Sequence, residues 1–254
     1  GREQAETMGK RIRFTLTTNG VLMDDAIGQF LNEHMDNVVL SLDGRKEVND
    51  NARTFINGRG SVYETIVPKY QRFLTHRRGP SYLRGTYTRD HLDFSEDARH
   101  MLDLGFSTIS LEPVAADSSV DYAIGEEHIE VIEQQYEEIL ELLIERRQLG
   151  ENPVFFHFQL ELKKGPCLYK RIAGCGAGGE YAAVAPDGSL YPCHQFTGQK
   201  QYLLGHVATG IVHKDLADSF RQSHVLNKPT CTGCWAKYYC SGGCHANNIQ
   251  YAGS

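Results

Sequence analysis

Four cysteines fall within fourteen residues near the end of this chain, in the order Cys231-x2-Cys234-x5-Cys240-x3-Cys244, and the first 166 residues contain none. Three more, Cys167, Cys175 and Cys193, precede them. Disulfide scaffolds are usually short secreted chains with cysteines spread along them. Here the spacing is tight, the total is odd, and no secretory apolar segment opens the chain. The pattern therefore points to metal or iron–sulfur ligation in a reducing, cytoplasmic setting. A CxxC turn aims two thiolates at one centre, and both tetrahedral zinc and iron–sulfur clusters use four such ligands. A zinc ribbon would normally carry a second matched CxxC pair, which is absent; a zinc-stabilised binding protein stays as the plainer alternative.

The thiol-free remainder has a different texture. Ile12, Phe14 and Leu16 alternate with polar residues as in a strand, which ends in the turn residues Thr18-Asn19-Gly20. A helix is expected from Asp24 to about His34, with Ala26, Ile27, Phe30 and Leu31 on its inner face. The run NVVLSLDG at 37–44 suits a strand buried on both faces of a parallel sheet. Helices over 61–76 and 95–104 lead into strands at 82–88 and 106–114. The clearest helix is 126–149, where Ile129, Ile132, Tyr136, Ile139 or Leu140, and Leu143 recur at spacings of three and four. Strand–helix alternation of this kind gives a parallel α/β sheet. Four strands are too few to close a barrel. The polar residues Asn19, Ser41, Asp43 and Glu112 fall at strand C-termini, the edge where such folds bind ligands. From about residue 160 short Gly- and Cys-rich segments take over, as in a small domain organised by metal. A net charge of −6 leaves no basic footprint for nucleic acid. No apolar run approaches the ~20 residues of a membrane span.

The ordered set Cys175-x12-Gly188-x4-Cys193, then Cys231, Cys234, Cys240 and Cys244, resembles the SPASM domain of radical S-adenosylmethionine (SAM) peptide-modifying enzymes. The segments LTTNGVL (16–22), VLSLDGR (39–45), YLRGTYTR (82–89), ISLEPV (109–114), GPC (165–167), GCGAGGEY (174–181), YPCHQF (191–196) and CWAKYYCSGGCHAN (234–247) are similar to the maturases of SCIFF peptides, which carry six cysteines in forty-five residues. The resemblance implies the C-terminal part of a radical SAM partial (β/α)6 barrel over 1–160 and a SPASM domain over 161–254.

What the resemblance implies about sites is specific. Cys167, Cys175, Cys193 and Cys244 would ligate a first auxiliary [4Fe–4S] cluster; Cys231, Cys234 and Cys240 would hold three irons of a second. Ser41 and Arg53 match the pair that grips the methionyl carboxylate of SAM, Leu111 an adenine-packing position, and Asn19 a possible cofactor contact. His194, next to Cys193, stands where related sulfatase-maturing enzymes place an acidic general base. Trp235, Tyr238 and Tyr239 are expected to pack around the clusters. The CxxxCxxC loop that holds the SAM-binding [4Fe–4S] cluster does not occur in these residues. Gly1 in place of an initiator methionine, and a stop ten residues after Cys244, read as a piece of a longer protein. The implied function of the intact enzyme is thioether formation between a cysteine sulfur and a backbone α-carbon of a Cys-rich precursor peptide. SAM cleavage would supply a 5′-deoxyadenosyl radical, and flavodoxin or ferredoxin would supply electrons. A sulfatase-maturing type of SPASM enzyme is the nearer alternative.

Overall fold

The computed structural model describes residues 2–159 and 168–251, the backbone alone for 168–170. The chain divides into two compact units, Gly1–Gln159 and Leu160–Ser254. The first holds α1 (Arg2–Thr7), β1 (Thr15–Thr18), α2 (Asp25–His34), β2 (Asn37–Ser41), α3 (Lys46–Ala52), α4 (Val62–His76), β3 (Ser81–Tyr87), α5 (Phe94–Asp103), β4 (Thr108–Pro113), α6 (Ile129–Gln148) and β5 (Val154–Phe155). Its five strands pair in parallel in the order β1-β2-β3-β4-β5. Every parallel step needs a crossover, and α2, α4, α5 and α6 supply them.

Local chemistry sets the helix ends. The Asp24 carboxylate accepts from the Ile27 backbone N–H and the Ser61 hydroxyl from that of Glu64, satisfying donors that α2 and α4 would otherwise leave unpaired. Gly150, just past α6, takes the left-handed conformation that suits a helix stop. One face of the sheet buries Val38, Leu40, Leu42, Leu83, Tyr87, Ile109 and Leu111 against Ile66, Tyr70, Phe94, Met101 and Ile139 of the helices. Each such side chain contributes roughly 1.5–3 kcal/mol when fully removed from water.

Several expectations need correction. The first strand starts at Thr15 rather than at Ile12; among the described residues β1 pairs on one side only, with β2, and Phe14 and Leu16 are exposed. On α2, Leu31 is buried but Ile27 and Phe30 are 39% and 53% exposed. The helix is rolled so that Gly28, where an added Cβ would lie 3.6 Å from the Phe73 ring, meets α4. On α6 the buried set is Gln135, Ile139, Leu142 and Leu143, while Ile129 and Leu140 face outward. The buried glutamine is explained by its partner: Gln135 Oε1 accepts from the Ser95 N–H at the start of α5, 3.0 Å away. Sequence reasoning missed α3, which is polar, and β5, which is two residues long.

The second unit contains α7 (Leu168–Ala173), the strands β6 (Ala183–Val184), β7 (Ser189–Tyr191), β8 (Gly205–His206) and β9 (Gly210–Ile211), then α8 (Lys214–Gln222), α9 (Pro229–Thr232), α10 (Lys237–Cys240) and α11 (His245–Tyr251). The strands form an antiparallel sheet in sequence order. Its core is small: Ala177, Tyr191, Cys193, Phe196, Phe220 and Ala246. No helix among the described residues is long and apolar enough to cross a membrane.

Candidate functional site

In the first unit, strand register decides which side chains share a face. Ser41 pairs with Arg84, and Arg84 with Ser110; two residues on, Thr86 pairs with Glu112. These polar residues point away from the helix-covered face, because side chains alternate along a strand. Leu111 belongs to the other set. It is fully buried in the helix-side core, on the opposite face of the sheet from Ser41.

Beyond β2, Asp43 organises the sheet's C-terminal rim. The Arg53 guanidinium donates to it twice, from Nε to Oδ2 at 2.7 Å and from Nη2 to Oδ1 at 2.9 Å. The Thr86 N–H donates to the same Oδ1 at 3.0 Å, and the Asp43 N–H donates to Asn49 Oδ1 at 3.3 Å. Arg53 is thus pinned along one edge, and its Nη1 edge remains able to meet a second carboxylate. Tyr70 reaches up from α4, its hydroxyl donating to the carbonyl oxygens of Ser41 (3.1 Å) and Thr18 (3.3 Å). Gly20 permits this approach: it has φ 72°, and a Cβ there would lie 2.2 Å from the Tyr70 ring. Asn19 is exposed, and its side-chain oxygen accepts from the Val21 N–H at 3.3 Å.

Glu112 pairs with Arg84 through two contacts, one from Nε to Oε1 at 3.1 Å and one from Nη2 to Oε2. Ser110 Oγ lies 3.5 Å from that Oε1 and 3.3 Å from His157 Nε2. Burial holds the His157 ring below the ordinary histidine range, with Glu112 opposing and Arg84 reinforcing the shift. An NMR titration is therefore expected to place its midpoint below about 6.5. The native state then binds fewer protons at His157 than the unfolded chain once the pH drops below that value. This contribution to stability is complete above about pH 6.5 and is lost as the pH falls through the native midpoint. A midpoint at or above 6.5 would contradict the geometry. Separately, a groove of about 1100 Å³ between α2 and α4, floored by Val21, Met23, Pro68 and Phe73, carries none of the predicted site residues.

In the second unit, glycine-rich turns bring distant cysteines together. Gly188 (φ 88°) closes the turn between β6 and β7, and β7 delivers Cys193 into the core. Ser241, Gly242 and Gly243 are all left-handed and turn the chain sharply between Cys240 and Cys244. His245 then donates from Nε2 to the Ala173 carbonyl at 3.3 Å, fastening the start of α11 to the end of α7 beside Cys175. Burial pushes the Cys193 thiol up; the N–H groups of Gln195 and Phe196 oppose this, and Cys244 and Cys175 add to it. Cys175 and Cys244 therefore each lie within the field of the Cys193 sulfur. Gln195 also donates from Nε2 to Cys244 Sγ at 3.8 Å.

Cys231 and Cys234 sit on α9 and the turn after it, closed by a Cys234 N–H to Cys231 carbonyl bond of 3.2 Å; Cys240 ends α10. Among the described residues no three Cys, His, Asp or Glu side chains converge closely enough to hold a single metal ion. A cubane cluster gives each thiolate its own iron, so its ligands stand further apart than those of one ion. Clustered free thiols with N–H donors aimed at sulfur fit such a group in donor chemistry. Cys167 lies outside the described residues. His194 is exposed, its Nδ1 3.4 Å from the Tyr181 hydroxyl. Trp235 is 86% exposed, and Tyr238 and Tyr239 are also exposed, Tyr239 beneath the Arg171 guanidinium.

Residues 175–235 match the SPASM iron–sulfur cluster-binding domain. That match takes in Cys175, Cys193, Cys231 and Cys234 and stops short of Cys240 and Cys244. No curated protein matches the chain. Among solved structures, anSMEcpe with bound AdoMet and the Kp18Cys peptide has a TM-score of 0.75 at 18% identity over 96% of this chain and 69% of its own. SuiB of Streptococcus suis bound to S-adenosylmethionine has a TM-score of 0.63 at 17% identity over 94% of this chain and 56% of its own. SuiB bound to the precursor peptide SuiA scores 0.62 at 16% identity. The chain thus spans little more than half of SuiB. Its α/β fold with a SPASM match resembles the radical SAM/SPASM maturases.

The structure also shows functional candidates that sequence reasoning passed over. Asp43 is placed by sequence at a strand C-terminus, but its role as the partner of Arg53 is not legible there; an aspartate in SLDG with an arginine ten residues on was the available signal. His157 had none, because the strand that positions it is too short to read.

Proposed function

We propose that this chain is the later part of a radical SAM peptide maturase that forms thioether crosslinks, of the SCIFF-maturing kind, in a Cys-rich precursor. The observation that carries this reading is the gathering of Cys175, Cys193 and Cys244 in the unit that matches an iron–sulfur cluster-binding domain. Arg53 would meet the methionyl carboxylate of SAM with its open edge, and the adjacent Ser41 and Asn19 would line the same rim. Cys175, Cys193 and Cys244, with Cys167, would hold one auxiliary cluster, and Cys231, Cys234 and Cys240 would bind another. Such groups, when bound, supply the radical and electron-transfer chemistry, and the protein positions and insulates them. The Arg84–Glu112 pair presents a fixed donor and acceptor on the sheet face, suited to a peptide group. His194 is exposed beside Cys193, where it could accept a thiol proton. Soluble donors of the flavodoxin or ferredoxin kind and a cytoplasmic setting complete the proposal.

The test is anaerobic reconstitution of the full-length protein, followed by iron and sulfide analysis and mass spectrometry of a Cys-rich precursor. The expected result is a brown protein with equal iron and sulfide, and a product lighter by two hydrogens per crosslink. A colourless protein carrying stoichiometric zinc and no sulfide would overturn it. A second reading, an enzyme of the anaerobic sulfatase-maturing type, has the higher TM-score to anSMEcpe in its favour. In that case the same protein would oxidise a single residue and leave no sulfur–carbon link.

A further inference from the structure

The loop that follows β2 is anchored from beneath by a carboxylate that has no evident reason to be in a core. Asp97, on α5, is 1% exposed. Its Oδ1 accepts from both the backbone N–H (2.8 Å) and the Nε (2.9 Å) of Arg45. Arg45 Nη2 also reaches Asp93 at 2.8 Å. Gly44 passes directly over the Asp97 carboxylate: it has φ 148°, and a Cβ would lie 2.2 Å from Oδ1. The other oxygen, Oδ2, is buried with no hydrogen-bond partner.

Leaving a buried polar atom unpaired costs about 1–3 kcal/mol. A well-packed apolar residue of similar size would avoid that cost and fill the core as well. What the carboxylate provides is a fixed path for Asp43-Gly44-Arg45. Asp43 is the residue that takes Arg53 along one edge and the Thr86 N–H from β3. A continuous set of contacts therefore runs from α5 through Arg45 and the loop to the guanidinium.

We propose that Asp97 is a positioning residue: through Arg45 it fixes the loop that holds Asp43, and so sets the direction in which Arg53 presents its free edge to a carboxylate-bearing ligand. This rests on the reading of Arg53 as the partner of the SAM carboxylate. A residue serving only stability would affect every ligand of the site alike. A residue acting through Arg53 affects only ligands that carry the carboxylate.

The experiment measures equilibrium binding to the full-length reconstituted protein with two probes. SAM carries the methionyl carboxylate; 5′-methylthioadenosine has the same nucleoside without it. In Asp97→Asn, SAM binding is expected to weaken about tenfold while 5′-methylthioadenosine changes less than about twofold. Arg45→Lys keeps a cation beside the core carboxylate while losing the guanidinium geometry and should give the same pattern, which covers the case in which Asp97→Asn fails to fold. Asp97→Asn added to Arg53→Lys should cause no further loss for SAM. Equal losses for both probes, or no loss for either, would overturn the proposal. If Arg53→Lys itself left SAM binding unchanged, the underlying reading of Arg53 would fail instead.

Discussion

Cys193→Ala is expected to abolish thioether formation in the complete enzyme while leaving some uncoupled SAM cleavage. Cys193 is the buried member of its group, held in the second unit's core between Tyr191 and Phe196. Its removal leaves Cys175 and Cys244, both exposed, without the one member of the proposed ligand set that is buried among the described residues. The residues proposed to hold SAM belong to the other unit and are untouched. Iron and sulfide should therefore fall by one cluster per chain, SAM affinity should hold, and the precursor should keep its full mass. Retained crosslinking would remove this group from the mechanism.

Gly85→Val is expected to be strongly destabilising to the first unit. Gly85 lies in the middle of β3, paired with Leu111. A Cβ there would stand 2.5 Å from the Leu42 carbonyl oxygen, 2.8 Å from Leu111 Cδ2 and 2.9 Å from the Asp43 Cα. Two of these are backbone atoms of a neighbouring segment, so no rotamer change relieves the clash and β2 must separate from β3. Overpacked cores lose ~1–3 kcal/mol, and this site should fall at or beyond the upper end. Gly105→Ala is the comparison. Its φ of 92° is strained for any side chain, but nothing lies within 4 Å, so the loss should stay near the ~1–2 kcal/mol of backbone strain. Urea unfolding of both variants checks the contrast. Similar midpoints would show that β2 and β3 yield more easily than their spacing implies.

Much of the fold was legible because its signals are local. Periodicity marks α4 and α5 to within a residue and α6 to within three, and the run at 37–44 marks β2, since a chain must bury apolar residues at the repeat of its own backbone. The departures share one cause. Ile27, Phe30, Ile129 and Leu140 look like core residues by spacing, yet which helix face is buried depends on where a neighbour lies. Gln135 looks like a surface residue until Ser95 presents an unpaired N–H. Strand β5 gave no periodic signal because two residues cannot.

The sites divide in the same way. The order and spacing of the cysteines, the glycines at the left-handed turns and the polar strand ends can be read along the chain, because thiolate chemistry and backbone sterics belong to single residues and their immediate neighbours. Strand parity in the assembled sheet put Leu111 in the helix-side core and Arg84, Ser110 and Glu112 on the other face, where His157 meets Ser110. Packing across 52 positions placed Asp97 under Arg45. Those relations join residues far apart in the chain, and only the folded arrangement fixes their distances.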